Sequence, residues 1–344
     1  MNTLSRSGRG RQDGPSFPRY RVALWVTVLA IALLYALWYG NAREGRALTA
    51  GVRQELGGTY VELEDGVTHF SIEGPYDGPL FILVHGATMG MFVWDDLAGS
   101  LASAGFQVLR YDAYGRGYSD RPDADYTLDF SVRQLEEIVE RFSNDRPVHL
   151  AGVSVGGLVS AAYAARHPNR VERVTLISPA VRGIPAVRGP AAWVARTPGL
   201  GEFAMRVFGM NRLEARARGM LEEYPENGRR MADPFLEQMR YRGYERAMLA
   251  VMRGDLLRDQ RAAYAMLGET DVPVQVLWGK DDSEISAQDM AILRKAVPDV
   301  TFRAVPGAGH GLLVERGDLV SEALTAFHGP VPARDEKVSI RSAR

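Results

Sequence analysis

The clearest candidate for chemistry in this sequence is a serine that stands between two glycines at the end of a short apolar run. Residues 148–157 read VHLAGVSVGG, and an alanine-rich stretch typical of a helix follows them. Small residues two positions before and two positions after Ser154 allow a tight turn from a strand into a helix. Such a turn holds the serine oxygen at the helix N-terminus, where the helix dipole stabilises a developing negative charge. The spacing therefore predicts that Ser154 is a catalytic nucleophile.

A serine nucleophile needs a base, and histidine is the usual one. The chain has six histidines, and a serine at such a turn is followed along the chain by the acid and then by the base. Only His310 and His328 lie far enough downstream. His310 follows the apolar run 300–305 in a small-residue loop, and such loops place side chains at the edge of an open sheet. His328 ends the last predicted helix, where a role at the helix C-terminus explains it, so we expect His310 to be the base.

The acid is expected after the strand that precedes the one leading to His310. Residues 274–282 read VQVLWGKDD and end in two adjacent aspartates, Asp281 and Asp282. Adjacent side chains cannot both face one histidine, and the Trp-Gly-x-x-Asp spacing favours Asp282. In this role the carboxylate orients the histidine tautomer and stabilises the imidazolium without being protonated itself. Ser154, Asp282 and His310 thus form a predicted catalytic triad.

Backbone donors for an oxyanion are expected at two places in the chain. One is the N–H of Val155, directly after the nucleophile, and the other is the N–H of Ala87. Ala87 lies in the segment LVHGAT, residues 83–88, where an apolar run ends and a loop begins. His85 in the same segment precedes both the serine and the acid, so we interpret it as structural. The two N–H groups would stabilise the negative oxygen of a tetrahedral intermediate.

Composition excludes several other kinds of chemistry. The absence of cysteine excludes disulfides, thiolate catalysis, cysteine-based zinc sites and iron–sulfur clusters. The 41 basic and 42 acidic residues give a net charge of −1, without the basic excess that nucleic-acid binding needs. A dinucleotide-binding loop is not indicated, because Gly115-x-Gly117 lacks the third glycine of the fingerprint. We therefore expect no cofactor, no metal and no nucleic-acid partner.

The elements that must position these residues alternate along the chain. A strand–turn–strand pattern over residues 58–74 comes first, and helical periodicity over Leu128–Phe142 begins behind a cap residue, Thr127. Short runs rich in Val, Ile and Leu, typical of strands buried on both faces, lie at Leu80–Val84, Val108–Tyr111, Val148–Val153, Val174–Ile177 and Val274–Trp278. The alternation predicts an α/β fold with a mostly parallel sheet, helices on both faces and an antiparallel start.

The four parts of the predicted site, in this order, resemble the α/β-hydrolase family over residues 58–328. Asp112–Asp120 reads DAYGRGYSD and is similar to the D-x-x-G-x-G-x-S-D loop of that family. Pro306–His310 resembles its P-G-x-G-H loop. The resemblance implies an eight-stranded, mostly parallel sheet flanked by helices, with a helical cap inserted after the sixth strand.

The cap is expected where the strand rhythm stops. Eight of the twelve methionines lie between residues 181 and 267, a composition that suits irregular helix packing or an adaptable apolar pocket roof. The cap is therefore assigned to residues 181–267, and the α/β-hydrolase core to residues 41–180 and 268–328. Residues 329–344 are rich in proline and charge and are expected to be a disordered tail.

An uncharged apolar segment near the N-terminus predicts a transmembrane anchor. Residues 22–40 carry no charged side chain, and as a helix they would rise about 28 Å, close to the hydrocarbon thickness of a bilayer. Arginines exceed acidic residues over residues 1–21, so the positive-inside rule predicts a cytoplasmic basic tail and an extracytoplasmic catalytic domain. The alternative is a signal peptide cleaved after Gly40-Asn41-Ala42, which would give a secreted protein.

These features together predict a membrane-tethered serine hydrolase that cleaves carboxylic esters through an acyl-enzyme intermediate. An anchor joined to this core resembles membrane-bound monoacylglycerol-lipase-like hydrolases, which implies an apolar acyl ester as substrate and the bilayer as partner. A carbon–carbon bond hydrolase of the same fold is an alternative, and so is a catalytically silent ligand-binding module. Acyl chain length, preference for esters over thioesters and oligomeric state are left open.

Overall fold

The computed structural model describes residues 19–183, 189–224 and 228–329. The chain divides into two compact units, residues 1–42 and 43–344, and each is described by itself. Most of the predicted cytoplasmic tail, residues 1–18, lies outside the described residues, and so do residues 330–344 of the predicted disordered tail.

The first unit contains one long helix, α1 (Arg19–Gly40). Its apolar side chains are largely exposed, and Tyr20–Gly40 is long and apolar enough to cross a membrane by length and composition. The helix begins three residues before the predicted start at Val22, because arginine and tyrosine are compatible with a helix N-terminal turn. Length and composition alone do not distinguish an anchor from a signal sequence.

The second unit is built on an eight-stranded sheet. Its strands are β1 (Thr59–Leu63), β2 (Gly66–Glu73), β3 (Leu80–Val84), β4 (Gln107–Tyr111), β5 (Val148–Val153), β6 (Val171–Ile177), β7 (Val274–Gly279) and β8 (Thr301–Val305). Their order across the sheet is β1-β2-β4-β3-β5-β6-β7-β8. Pairs β1–β2 and β2–β4 are antiparallel and the other neighbours are parallel, which confirms the predicted architecture.

Most helices of the second unit alternate with the strands, and a series of consecutive helices within residues 189–267 forms an insertion between β6 and β7. They are α2 (Ala50–Leu56), α3 (Asp95–Ser103), α4 (Leu128–Phe142), α5 (Val155–Arg166), α6 (Gly189–Arg196), α7 (Leu200–Ala204), α8 (Met210–Glu223), α9 (Gly228–Gln238), α10 (Tyr244–Arg253), α11 (Arg261–Leu267), α12 (Ala287–Ala296), α13 (Leu312–Glu315) and α14 (Gly317–His328). Short 3₁₀ turns lie at Met91–Trp94 and Pro168–Arg170, and a π-helical turn joins α7 to α8.

Each face of the sheet carries its own apolar core. Successive side chains of a strand point to opposite faces, so Ile82 and Val84 of β3 lie in one core and Phe81 and Leu83 in the other. Helices α4, α5, α11 and α12 cover the first face, whereas α3, α13 and α14 cover the second. The central strands are buried on both sides, which is why they read as continuous apolar runs.

The insertion between β6 and β7 has an apolar core of its own, rich in methionine. Helices α8, α9 and α10 supply most of it, and its buried methionines are Met205, Met210, Met220, Met231, Met239 and Met248. Unbranched methionine side chains fill the irregular gaps between short helices that meet at varied angles. The predicted domain boundaries at residues 181 and 267 stay a prediction.

His328 is one residue that the sequence analysis interpreted wrongly. It ends α14, but its ring is buried and bonds to the His149 ring at 2.9 Å and to the Thr175 hydroxyl at 2.9 Å. Burial lowers the pKa of His149 to about 4, and it also holds the pKa of His328 well below its usual value. Both rings are therefore neutral core groups at physiological pH, and no helix-terminus charge effect is needed to explain His328.

Candidate active site

Ser154 stands in the turn between β5 and α5, at the C-terminal end of a central strand. Its backbone has φ 55° and ψ −117°, a conformation that residues other than glycine seldom adopt. The Ser154 N–H donates to the Ile177 carbonyl at 2.9 Å, and its carbonyl accepts from the Ala180 N–H at 3.2 Å, so the chain after β6 holds this turn. Residues held in such conformations concentrate at functional sites.

The glycines around Ser154 are required by close backbone contacts. A Cβ atom on Gly152 would lie 2.2 Å from the Gly156 carbonyl oxygen. A Cβ atom on Gly156 would lie 2.1 Å from the Val84 carbonyl oxygen. The first turn of α5 therefore packs closely against the backbone of β3 and β5. This packing is possible only because positions 152 and 156 lack a side chain.

Asp282 and His310 meet at the same edge of the sheet, after β7 and β8. His310 Nδ1 lies 2.9 Å from Asp282 Oδ2, and the Asp282 side chain is fully buried. The backbone N–H groups of Glu284 and Ile285 donate to the other carboxylate oxygen, each at 2.8 Å. Burial raises the pKa of Asp282, but the bond from His310 and these backbone bonds outweigh burial and hold the pKa below its usual range. Asp282 is therefore an ionised acceptor.

The environment of His310 favours its charged form. Burial lowers the pKa of His310, but the hydrogen bond to Asp282 and the charges of Glu284 and Asp282 raise the pKa above its usual value. Because the carboxylate accepts from Nδ1, the neutral ring carries its proton there and leaves Nε2 able to accept one. The neighbouring Asp281 is exposed, in agreement with the choice of Asp282 as the partner.

The structure brings Asp282 and His310 together but does not join His310 to Ser154. Among the described residues, no hydrogen bond links the Ser154 hydroxyl to the His310 ring, and His310 Nε2 lies 3.5 Å from Glu284 Oε2 instead. Catalytic hydrogen bonds often tighten only when substrate binds. The contact between Ser154 and His310 therefore stays a prediction.

Glu284 is a site residue that the sequence analysis missed. It faces the ring nitrogen that would take the serine proton, and its other oxygen, Oε1, lies 3.1 Å from Arg216 Nη1 of α8. The cap thereby reaches the loop that carries the candidate acid. Its position two residues after Asp282 was the only signal in the sequence, and it does not reveal that the loop turns back toward the histidine.

We expect Glu284 to set the pH at which His310 becomes a base. Only the neutral ring can accept a proton, so kcat/KM should rise with pH through the raised pKa of His310. Glu284→Gln removes a negative charge that raises this pKa, so the acid limb of a kcat/KM–pH profile should move to lower pH. Glu62→Gln, an exposed carboxylate on β1, is the control and should leave the limb in place. A limb that stays fixed in Glu284→Gln, or moves to higher pH, would contradict this assignment.

The loop after β3 lies beside Ser154. The Cβ position of Gly86 is 3.5 Å from Ser154 Cβ. Within the described chain, neither the Ala87 N–H nor the Val155 N–H donates a backbone hydrogen bond outside the regular elements. Both predicted oxyanion donors therefore have no backbone acceptor among the residues that the structure describes.

Three successive carbonyl groups of this loop, those of Gly86, Ala87 and Thr88, are each held by a buried side chain. The donors are His85 Nδ1 to Gly86 at 2.7 Å, Arg116 Nε to Ala87, and both Gln238 Nε2 and the Tyr244 hydroxyl to Thr88, at 3.0 and 3.3 Å. A peptide group is planar, so fixing a carbonyl also fixes the N–H of the next residue. The direction of the Ala87 N–H is thus set by the bond that Gly86 accepts.

His85 has a defined tautomer in this arrangement. The Ala113 N–H donates to its Nε2 at 2.8 Å, so the ring proton resides on Nδ1 and is given to the Gly86 carbonyl. Burial lowers the pKa of His85 to about 4 and keeps the ring neutral. The sequence predicts a structural role for His85, and its contacts agree with such a role in the loop that carries Ala87.

The DAYGRGYSD loop, residues 112–120, forms hydrogen bonds to the chain that follows β3. The Asp112 carboxylate accepts from the His69 ring and from the backbone N–H groups of Met91 and Tyr118, at 2.7 to 2.9 Å. A Cβ atom on Gly117 would lie 1.9 Å from this carboxylate, which explains the glycine. Among the described residues, no group of three or more His, Asp or Glu side chains is arranged to hold a metal ion.

Comparison with known proteins places this arrangement in context. Residues 79–317 match the α/β-hydrolase fold family. The chain is 26% identical to a cis-3-alkyl-4-alkyloxetan-2-one decarboxylase of Xanthomonas campestris, over 74% of this chain and 90% of that protein. It is 24% identical to human monoacylglycerol lipase ABHD6, over 89% of each chain. An enol-lactonase of Burkholderia xenovorans superposes with a TM-score of 0.66 at 23% identity, over 78% of this chain and 99% of the lactonase, which supports the fold.

Proposed function

This chain belongs to the α/β-hydrolase fold family, and on that premise we propose that it is a membrane-tethered serine hydrolase of carboxylic esters. Its relatives include proteins named as lipases and carboxylesterases, which supports hydrolase chemistry. The observation that carries the proposal is the positive-φ turn of Ser154, together with the Ala87 and Val155 N–H groups, which have no backbone acceptor within the described part of the chain. The buried Asp282–His310 pair lies at the same edge of the sheet.

In the proposed acylation step, the Ser154 oxygen attacks the ester carbonyl carbon and its proton passes to His310 Nε2. The carbonyl oxygen becomes negative and accepts hydrogen bonds from the Ala87 and Val155 N–H groups. The imidazolium is stabilised by the ionised Asp282, which stays unprotonated. When the carbon–oxygen bond breaks, His310 returns the proton to the leaving alcohol and an acyl-serine remains.

In the proposed deacylation step, His310 takes a proton from water while the water oxygen attacks the acyl carbon. The same two N–H groups stabilise the second tetrahedral intermediate. Its collapse breaks the bond to Ser154, and His310 returns a proton to the serine oxygen. The products are the alcohol and the free acid, and the enzyme is restored.

The proposed substrates carry an apolar acyl chain. Residues 86–88 are here called the oxyanion loop. Met89 and Phe92 lie shortly after this loop and pack against the methionine-rich core of the cap. An apolar surface therefore begins two residues after Ala87, where the acyl chain of a bound ester would leave the reacting carbon. Human ABHD6, a monoacylglycerol lipase by name, aligns along nearly the whole chain and supports this substrate class.

A substrate series tests the proposed activity. We expect kcat/KM for nitrophenyl esters and monoacylglycerols to rise with acyl chain length, because each buried methylene contributes about 0.8 kcal/mol. The same enzyme should leave a ring-cleavage diketone intact. Cleavage of the diketone without ester hydrolysis would instead identify a carbon–carbon bond hydrolase, and inertness toward all of these compounds would favour a silent ligand-binding module.

The proposed membrane attachment rests on α1. We expect the full-length protein to stay with membranes through alkaline carbonate extraction and to require detergent for release, because its exposed apolar side chains would occupy the bilayer. A reporter fused after Arg344 should be active only on the extracytoplasmic side. A soluble mature chain that begins near Arg43 would support the cleaved-signal alternative instead.

A further inference from the structure

The four residues Arg43–Arg46, here called the strap, form the first segment of the second unit and lie against the cap. The N–H groups of Gly45 and Arg46 donate to the Arg240 carbonyl at 3.0 and 3.2 Å. The Arg242 N–H donates back to the Arg46 carbonyl at 2.8 Å, and the two segments form a short parallel bridge. The strap is thus paired with the segment between α9 and α10.

Glu44 supplies the charge in this contact. Its two carboxylate oxygens accept from the backbone N–H groups of Gly243, at 2.9 Å, and Glu245. These N–H groups belong to the first turn of α10, where helical N–H groups lack partners within the helix and the dipole favours a negative charge. Gly243, the residue at the N-cap position, has no side chain that could cap the helix itself. Glu44 therefore caps α10 through residues that lie 199 and 201 positions away in the chain.

The junction of α9 and α10, which Glu44 contacts, also forms hydrogen bonds to the oxyanion loop. Gln238 ends α9 and Tyr244 begins α10, and both side chains are fully buried. Both donate to the Thr88 carbonyl, at 3.0 and 3.3 Å. Tyr244 lies between the two residues whose N–H groups bind Glu44. Thr88 directly follows Ala87, the proposed oxyanion donor.

A continuous set of hydrogen bonds thus runs from the strap, through the start of α10, to the loop beside Ser154. We infer that Glu44 is a positioning residue for the oxyanion hole, acting through Tyr244 and Thr88; the inference rests on the proposed function. Without the carboxylate, two backbone donors at the start of α10 lose their partner and the first turn frays. Tyr244 then leaves the Thr88 carbonyl, and the loop of residues 86–88 is held less firmly in place. The bond from His85 to Gly86 still orients the Ala87 peptide within the loop, but the Ala87 N–H as a whole lies less well placed for the developing oxyanion.

The expected effect is on the chemical step. Complete loss of one oxyanion donor lowers kcat by about 100- to 1,000-fold, so a misaimed donor should lower kcat by about tenfold. KM should change little, because an oxyanion contact is made in the transition state and not in the bound substrate. Glu44→Gln keeps one carbonyl acceptor and should fall between the native protein and Glu44→Ala.

The experiment uses the full-length protein in detergent. Active sites are titrated with a serine-reactive fluorophosphonate, and kcat per titrated site and KM are measured for a short nitrophenyl ester. Hydrogen exchange of residues 86–90 is followed in the same samples. Glu62→Gln, with its exposed carboxylate on β1, is the matched control and should behave like the native protein. We expect faster exchange over residues 86–90 and the graded loss of kcat in the two Glu44 variants only.

An unchanged kcat per titrated site in Glu44→Ala, together with native exchange over residues 86–90, would overturn the inference and leave a purely structural strap. If Glu44→Ala does not fold, the test rests on Glu44→Gln. A native kcat and native exchange over residues 86–90 in that variant would likewise overturn the inference. Failure of the proposed function is a separate result. In that case the native protein neither reacts with the phosphonate nor hydrolyses esters, and the exchange rates still decide whether Glu44 holds the loop.

Discussion

Ser154→Ala is expected to lower kcat/KM for ester hydrolysis by about 10⁴- to 10⁶-fold, the range found when a triad nucleophile is removed. The alanine has no oxygen to form the acyl intermediate, so the remaining rate would come from the oxyanion donors and from substrate binding alone. The fold should survive, because among the described residues the Ser154 hydroxyl makes no hydrogen bond, and the backbone bonds of the turn do not use the side chain.

The measurement compares kcat/KM, the melting temperature and labelling by a fluorophosphonate in native and variant proteins. Ser103→Ala is a suitable control, because Ser103 is exposed and its hydroxyl bonds only to the Gly99 carbonyl within α3. The control should keep its activity and its label. A folded Ser154→Ala protein that retains more than a few per cent of native activity would show that another group is the nucleophile.

Asp282→Asn is expected to cost about 10⁴-fold in kcat, with little loss of stability, because the asparagine is isosteric. An amide can donate to His310 Nδ1 where the carboxylate accepts from it, so the neutral ring would carry its proton on Nε2 instead. In that tautomer His310 cannot take the serine proton. The substitution also removes the charge and hydrogen bond that raise the pKa of His310.

Asp281→Asn is the matched control for this prediction. Its carboxylate is one residue away but exposed, so its removal should leave kcat nearly unchanged. The pair separates a specific role of Asp282 from a general effect of negative charge on the loop. If Asp281→Asn lost activity and Asp282→Asn kept it, the acid would have been assigned to the wrong aspartate.

Much of the core could be predicted from local sequence alone. Leu80–Val84 and Val148–Val153 are strands with the bounds that their apolar runs indicated, because strands buried on both faces carry few polar residues and end where polar loops begin. Leu128–Phe142 is a helix behind Thr127, whose hydroxyl accepts from the Phe130 N–H as a cap residue does. Such signals need no knowledge of distant contacts.

The parts that could not be predicted depend on partners far away in the chain. The neighbours of His328 in sequence indicate a role at the helix terminus, whereas its ring bonds to His149, 179 positions away, and to Thr175. The bonds from Gln238 and Tyr244 to Thr88 also cross between the cap and the core. No periodicity or motif encodes such a pairing, since it arises only when the cap helices pack on the sheet.

The candidate site lies between these two cases. The motif around Ser154 predicted the strand–turn–helix geometry, because the glycine requirement is local. The meeting of Asp282 and His310 followed from their positions after neighbouring strands, which end at one edge of a parallel sheet. The approach of Glu284 to His310 depends on the path of a single loop, which residue types alone do not fix.

The most direct test of the account is to trap the covalent intermediate. Native protein is mixed with a nitrophenyl ester in a rapid-quench instrument, stopped in acid after a few milliseconds and digested, and its peptides are weighed by mass spectrometry. Nitrophenolate is a good leaving group, so acylation by this ester is faster than hydrolysis of the acyl-serine and the intermediate accumulates. The account therefore predicts a burst of nitrophenol equal to the number of active sites and an acyl group on the peptide that contains Ser154. Ester turnover with no burst and no acylated peptide, or with the acyl group on a different residue, would contradict it.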